Sequence, residues 1–375
     1  MATKGRVKKV FPGCNTSKGF YSFYDYIIPP DATRVLIIKG GPGVGKSTFM
    51  RHIAEAMVER GFNAEYHCCS SDNGSLDGVV FPQIGVALID GTAPHIMDPR
   101  NPGAVDEIIH LGDFWDEARI RAHKKEIIAA NREVGRRFTR AYRFLKAAQI
   151  IYEDWEDANI EGMNFGLANQ KADAVLHEIL DEKPVAASVG RDRHLFARAI
   201  TPDGMVDYLD TIIGPCEKKY VIAGKPGTGK SVLLEKVARA VLERGYYVEM
   251  YHCPLNPSKV EHVVIPQLSV ALTKSIEPHL YSAGPEDVIV NLDECLDPAV
   301  ETKYEALVAE NEEMFFSLFN RAIAFIGEAK AIHDKMETYY APYMDFKAVA
   351  KLRQRTLERV LGYAQEVYGR LERLA

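Results

Sequence analysis

Gly40-Gly41-Pro42-Gly43-Val44-Gly45-Lys46-Ser47 decides how this chain is read, because the pattern returns as Gly224-Lys225-Pro226-Gly227-Thr228-Gly229-Lys230-Ser231. Both stretches fit GxxxxGK[ST]. Val35-Leu36-Ile37-Ile38 leads into the first and Tyr220-Val221-Ile222-Ala223 into the second, each a short apolar run of the kind a buried strand makes. Beyond the loops, Phe49, Ile53 and Met57 recur at helical spacing, as do Leu233, Val237 and Val241. Gly61 and Gly245 follow where a helix needs a left-handed last residue. Strand, glycine loop and helix therefore occur twice.

That setting has a mechanical reading. Glycines let backbone amides wrap a phosphate chain, a lysine reaches its outer phosphates, a serine hydroxyl binds Mg2+, and the helix points its positive end at the anion. The expected phosphate cradle is Gly41, Pro42, Gly43, Val44, Gly45, Lys46, Ser47 and Thr48 in the first copy. In the second it is Lys225, Pro226, Gly227, Thr228, Gly229, Lys230, Ser231 and Val232. Lys46 and Lys230 are the expected catalytic lysines, and Ser47 and Ser231 the metal-binding hydroxyls.

The repeat extends along the chain. Gly5-Arg6-Val7-Lys8 matches Gly190-Arg191-Asp192-Arg193, and Phe11 matches Phe196. Tyr66-His67-Cys68 matches Tyr251-His252-Cys253, Pro94-His95 matches Pro278-His279, and Met163 and Phe165 match Met344 and Phe346. The halves are 1–183 and 184–375, each of a size that suits one globular domain. The expected fold is α/β: two tandem P-loop domains, each a parallel sheet flanked by helices. Each carries a long helical-hairpin arm, over about 115–181 and 299–374, turning near Gly162 and Pro342.

A carboxylate at the end of a neighbouring strand is needed to complete such a site. Asp90, after Val86-Ala87-Leu88-Ile89, is the preferred metal- or water-ordering acid of the first half; Lys274 stands at its matched position. The second half offers Asp293-Glu294 instead, after another apolar run. Asp77 and Glu261 are a matched acidic pair, read as loop acids that contact substrate or orient water. A zinc site from His67, Cys68, Cys69 and His95 is disfavoured, because adjacent strand residues point to opposite faces. Arg6 and Arg191 correspond, and Arg191 is a weak candidate for stabilising a transferring phosphoryl group.

Net charge −6 argues against a strongly basic nucleic-acid binder overall. One segment departs from this: Arg119 to Lys146 holds ten Lys or Arg against Glu126 and Glu133, net +8, whereas the aligned stretch Val300 to Gly327 is acidic. Pairing of this basic helix with acidic surfaces of the protein or a partner is preferred over nucleic-acid binding. No run is long enough to span a membrane, the N-terminal stretch lacks a signal-peptide core, and six cysteines without metal-type spacing fit a reducing cytoplasm.

Both loops resemble those of the P-loop NTPase superfamily. The whole arrangement, including Asp90-Gly91-Thr92-Ala93-Pro94-His95, resembles a bacterial family of tandem P-loop ATPases. The resemblance implies ATP and Mg2+ binding without assigning a cellular role. The expected activity is slow Mg-dependent ATP hydrolysis coupled to shape change and to an unknown protein partner. The alternatives are a kinase passing the γ-phosphate to a small-molecule acceptor held near Asp77 and His95, and a nucleic-acid or scaffold protein with structural ATP.

Overall fold

The computed structural model describes residues 3–93, 96–276 and 280–371. In the first half, β1 (Val7–Val10), β4 (Arg34–Lys39), β5 (Ala64–Cys68), β6 (Leu76–Phe81), β7 (Val86–Asp90) and β8 (Asp106–His110) form one sheet, ordered β1-β5-β6-β7-β4-β8. β2 (Gly13–Thr16) and β3 (Gly19–Ser22) form a separate hairpin. The second half repeats this with β9 (Asp192–Leu195), β12 (Lys218–Ala223), β13 (Val248–His252), β14 (Val260–Ile265), β15 (Val270–Ser275) and β16 (Val288–Asn291). Read from the matching edge, its order is β9-β13-β14-β15-β12-β16, with β10 (Arg198–Thr201) and β11 (Gly204–Asp207) as the hairpin. The repeat in the sequence is thus a repeat of topology.

The sheets are mixed, where parallel sheets were expected. β6 runs antiparallel to β5 and β7, and β14 to β13 and β15. The links Cys68 to Leu76 and Phe81 to Val86 are too short for a parallel crossover, which takes about a dozen residues or more. The β4–β5 link is long enough and carries α1 (Lys46–Val58); its counterpart in the second half carries α6 (Lys230–Glu243).

Strand alternation divides the core. Leu36, Ile38, Val86 and Leu88 face α1 through Phe49, Ile53 and Met57, while Val35, Ile37, Ala87 and Ile89 face Tyr24 and Ile27 on the other side.

The arms depart from the expected hairpins. The first arm is α2 (Glu117–Ala122), α3 (Lys124–Ile160) and α4 (Phe165–Leu180); the second is α7 (Pro298–Glu337) and α8 (Phe346–Leu371). The turns fall where proposed, but the partners are exchanged. α3 pairs antiparallel with α7: Arg137 meets Glu328, Tyr152 meets Phe315, and Asn311 donates to Asp154 at 2.7 Å. Ala172, Val175 and Ile179 of α4 join the second half's core beside α6, and Val349, Val360 and Ala364 of α8 join the first half's core beside α1. Each sheet therefore carries a helix from the other half.

The exchange is symmetric. Asp116 N–H donates to the Tyr343 carbonyl and Asp345 N–H to Phe114, both at 2.8 Å. At the other crossing, Asn164 N–H donates to Cys295 at 2.8 Å and Asp297 N–H to Gly162 at 2.9 Å. Phe11 and Phe196 exchange backbone hydrogen bonds at 2.9 and 3.0 Å. Matched residues pair reciprocally in this way about a two-fold relation. Around the same axis lie the matched cations Lys8 and Arg193 and the matched acids Glu65 and Glu249. Lys8 reaches Glu249 at 2.6 Å and Glu65 at 3.7 Å; Arg193 reaches Glu65 at 2.7 Å and Glu249 at 3.7 Å.

At the far edge of the first sheet, Arg359 of α8 grips Glu107 of β8 at 2.8 and 2.5 Å, and Arg34 bonds the same carboxylate. The hydrogen bond from Arg359 is the main cause that lowers the Glu107 carboxyl to about 2. The Arg359 and Glu107 side chains remain 40% and 31% exposed, so solvent screens the pair. Arg359→Ala should cost no more than about 1 kcal/mol in urea unfolding; a larger loss would mean that α8 is anchored by this contact rather than by its apolar face.

Candidate functional site

β4 ends at Lys39 and α1 starts at Lys46, so the first glycine loop joins a central strand to a helix N-terminus; β12 and α6 frame the second loop alike. Gly43 and Gly45 have φ of +66° and +89°, and the matched Gly227 and Gly229 have +82° and +86°. Any side chain is strained in that region, which is why glycine recurs there.

In the first loop, Lys46 Nζ donates to the carbonyls of Gly40 at 3.0 Å and Gly41 at 2.9 Å, and stands 3.6 Å from Asp90 Oδ2. Register places Asp90 beside Ile38 of β4, at the tip of the adjacent strand. Its Oδ1 accepts the Thr92 N–H at 2.8 Å, and Thr92 Oγ1 donates to the Gly40 carbonyl at 3.1 Å. Asp90 thus shapes a turn and faces the loop lysine at once. Ser47 Oγ accepts the Leu76 N–H at 2.9 Å, which sets the next residue, Asp77, beside it in sequence.

Asp77 is not a loop acid. It lies inside β6 and is buried. The β6–β7 register pairs Gly78 with Ile89, so Asp77 falls across from Asp90. A sequence reading that ended the strand before Asp77 missed this, because Leu76 and Asp77 open a strand whose apolar stretch comes later. Lys46, Ser47, Asp77 and Asp90 therefore gather at one end of the first sheet. A hydroxyl and one or two carboxylates are donor types that suit a Mg2+ ion whose remaining ligands are phosphate and water. Among the described residues, no group of three or more His, Cys, Asp or Glu could hold a metal unaided.

The second loop has the same backbone and different charges. Lys230 Nζ donates to the Gly224 carbonyl at 2.6 Å, to the Lys225 carbonyl, and to Thr228 Oγ1 at 3.3 Å. Burial drives its pKa well below the usual lysine value, with the nearby Lys274 charge adding to this. Lys274, beside Ile222 of β12, sits where Asp90 sits in the first half. Its Nζ lies 3.6 Å from Oε1 of Glu261, a buried residue of β14. Glu261 is thus also a strand acid rather than a loop acid. Asp293 Oδ1 accepts the Lys225 N–H at 2.7 Å, so that acid braces the loop backbone, and Glu294 pairs with Lys171 of α4 at 2.7 Å.

Exchange of the arms lays each arm's turn on the other half's loop. A Cβ at Gly227 would lie 2.3 Å from the Glu156 carbonyl, and Asn159 Nδ2 donates to the Pro226 carbonyl at 2.8 Å. In the first loop, a Cβ at Gly43 would lie 3.0 Å from Glu337 Cβ, and one at Gly41 2.9 Å from the Tyr340 ring. The sequence reading did not single out Glu156, Asn159, Glu337 or Tyr340. Glu156 and Glu337 lie equally far before the matched Met163 and Met344, a signal visible only once the arms are aligned.

Other candidates fall elsewhere. Arg6 and Arg191 are exposed and precede β1 and β9, at the opposite end of the sheet from the loops by strand direction. His67 is buried 3.7 Å from Glu65, and His252 meets His194 at 2.7 Å. His95 and His279 lie outside the described residues. All six cysteines are free and buried, and burial raises Cys68 to about 11 and Cys253 to about 12.

Within the chain the basic helix is neutralised only in part: Arg119 meets Asp116, and Arg136 and Arg137 meet Glu133. The acidic stretch of α7, from Glu301 to Glu313, runs beside the acidic end of α3, where Lys303 meets Glu161. Of the ten basic residues, Arg137 bridges to α7 at Glu328, and Arg140 lies over the Phe325 ring at 4.4 Å. The others are exposed.

No described helix is long and apolar enough to cross a membrane. Comparison with known protein families, curated proteins and solved structures finds no match for this chain.

Proposed function

We propose that the chain is a nucleotide-driven conformational protein: an ATP-binding P-loop protein whose first loop hydrolyses ATP slowly with Mg2+. The observation that carries this reading is the convergence of Lys46, Ser47, Asp77 and Asp90 at a strand–glycine loop–helix junction. Lys46 would leave the loop carbonyls for the outer phosphates, Ser47 and Asp90 would hold Mg2+, and Asp77 would orient the attacking water. Mg2+, when bound, supplies neutralisation of charge on the phosphates. The backbone amides after Gly43 would carry the remaining phosphate contacts.

The coupling follows from the arms. Glu337 and Tyr340 lie against the first loop, so any movement of that loop around a phosphate chain would be felt by the α7–α8 turn. α7 packs along α3, and α3 ends on the second loop. Nucleotide state at one loop is thereby transmitted to the other and to whatever contacts the helical pair.

Trp115 and Trp155 are the two tryptophans of the chain. Trp115 bridges to Met344 beside the first loop's cover, and its ring centroid is 6.3 Å from that of Tyr340. MgATP should change tryptophan emission, and Trp115→Phe should remove most of the change while leaving binding within about twofold, since the substitution keeps an aromatic ring. An unchanged signal in Trp115→Phe would place the movement elsewhere. The kinase alternative is separated by product: free phosphate supports hydrolysis, whereas ADP release that requires an added metabolite supports transfer.

A further inference from the structure

The two loop sites differ at matched positions in a way that bears on what each can bind. In the first, Lys46 stands 3.6 Å from Asp90, Asp77 falls across from Asp90, Glu337 lies against Gly43, and Ser75 precedes β6. In the second, the matched residues are Lys230, Glu261, Lys274, Glu156 and Lys259. Two exchanges, Asp90 for Lys274 and Ser75 for Lys259, make the second site three charges more positive than the first. Both lysines are placed by the fold. Lys274 is buried against Glu261 at 3.6 Å, and Lys259 Nζ reaches Glu156 at 2.5 Å. Glu153, Glu156, Lys259, Glu261 and Lys274 supply the charged lining of a cavity of about 30 Å³, room for one or two waters.

A divalent cation does not fit here. Its carboxylate position holds an ammonium, Glu261 is already paired with that ammonium, Glu156 with Lys259, and Asp293 with the loop backbone. Like charges 3 to 4 Å apart in a buried site repel strongly. A phosphate chain is favoured over a cation, because the two ammonium groups, once released from Glu156 and Glu261, would supply the charge that a metal would supply in the first site. Glu156 occupies Lys259 from the arm turn, so an entering phosphate would displace a carboxylate and lift the turn from the loop. The cavity is too small for a triphosphate otherwise.

We propose that the second loop binds the polyphosphate chain of a nucleotide without a divalent metal, Lys274 and Lys259 replacing Mg2+. This rests on reading the loops as nucleotide sites. It makes the second site one that senses nucleotide, whereas the first needs MgATP.

The test is titration of a fluorescent ATP analogue into full-length Lys46→Ala and Lys230→Ala proteins, each with Mg2+ and with EDTA. Binding to Lys46→Ala that changes less than twofold in EDTA is expected, while binding to Lys230→Ala falls at least tenfold. A tenfold loss in EDTA for Lys46→Ala would overturn the proposal. So would no binding to Lys46→Ala while Lys230→Ala binds, a result that leaves the first site standing; no binding to either overturns both readings. Adding Lys259→Ser to Lys46→Ala restores the first site's residue at an accessible position and should weaken metal-free binding about tenfold. No change there would also count against the proposal. Urea unfolding of each variant confirms that the fold is kept.

Discussion

Lys46→Ala is expected to lower Mg-dependent phosphate release by about 10²–10³-fold, the usual effect of removing one fixed group that stabilises transition-state charge. Lys230→Ala should lower it by less than about tenfold, because its effect on the first site passes only through the helical pair. The asymmetry comes from the geometry. Lys46 has a carboxylate 3.6 Å away at the tip of the adjacent strand, where on the proposed function a lysine and a metal would share a phosphate chain. Lys230 has an ammonium in the matched place, and its own charge is disfavoured by burial and by Lys274. Steady-state phosphate release across a range of MgATP decides it. Equal losses for both variants would mean that the loops work as one catalytic unit. Loss only in Lys230→Ala would reverse the assignment of the two sites. Asp90→Asn, which keeps the Thr92 turn, should show a similar loss to Lys46→Ala if Asp90 binds the metal. If its role is only to shape the turn, turnover should stay near wild type.

The second large effect is structural. Arg193→Ala should destabilise the protein by about 3–5 kcal/mol, the range for removing one partner of a buried ion pair. Arg193 bonds Glu65 at 2.7 and 3.0 Å and also donates to the carbonyls of Tyr26 and Ile27 at 2.8 Å. Without it, Glu65 keeps Lys8 at 3.7 Å and, among the described residues, the buried His67 at 3.7 Å. The loss falls where the halves meet, so urea unfolding should show both a lower midpoint and weaker coupling between the sheets. Arg193→Met combined with Glu65→Leu removes both charges and should recover much of the loss, since a buried pair replaced by apolar groups is often near neutral. A single-variant cost under about 1 kcal/mol would sink the idea that this network locks the two halves.

The same network fixes a pH dependence. Although burial opposes the charged form, Arg193 and Lys8 hold the Glu65 carboxyl well below its usual range. A carboxyl depressed on folding contributes its stabilisation fully above the unfolded-state value and loses it as pH falls toward the folded-state value. Stability should therefore decline on acidification below the ordinary carboxylate range. Glu65→Gln should flatten that part of the profile, at the cost of lower stability near neutrality.

The sequence by itself determined the local units. The glycines of both loops, the apolar runs before them and the helical spacing after them appear as β4 and α1 and as β12 and α6. Asp90 was legible because it ends an apolar run, and the matched segments predicted that the halves share one topology. Short links between β5, β6 and β7 also carried the antiparallel strand, since no crossover fits in them, but the composition of those links resembles loop and strand alike. Asp77 and Glu261 were misplaced because each stands second in its strand, ahead of the apolar stretch that marks it.

Tertiary structure alone decided which half each helix serves. α4 and α8 present apolar stripes that either sheet could bury, and local propensity does not distinguish its own sheet from its neighbour's. The choice is made by long-range packing: α3 against α7 along their length, Trp115 bridged to Met344, and Met163 bridged to Leu296. That exchange puts Glu156 and Asn159 on one loop and Glu337 and Tyr340 on the other. No periodicity within either half contains those contacts, because each joins residues from opposite halves of the chain.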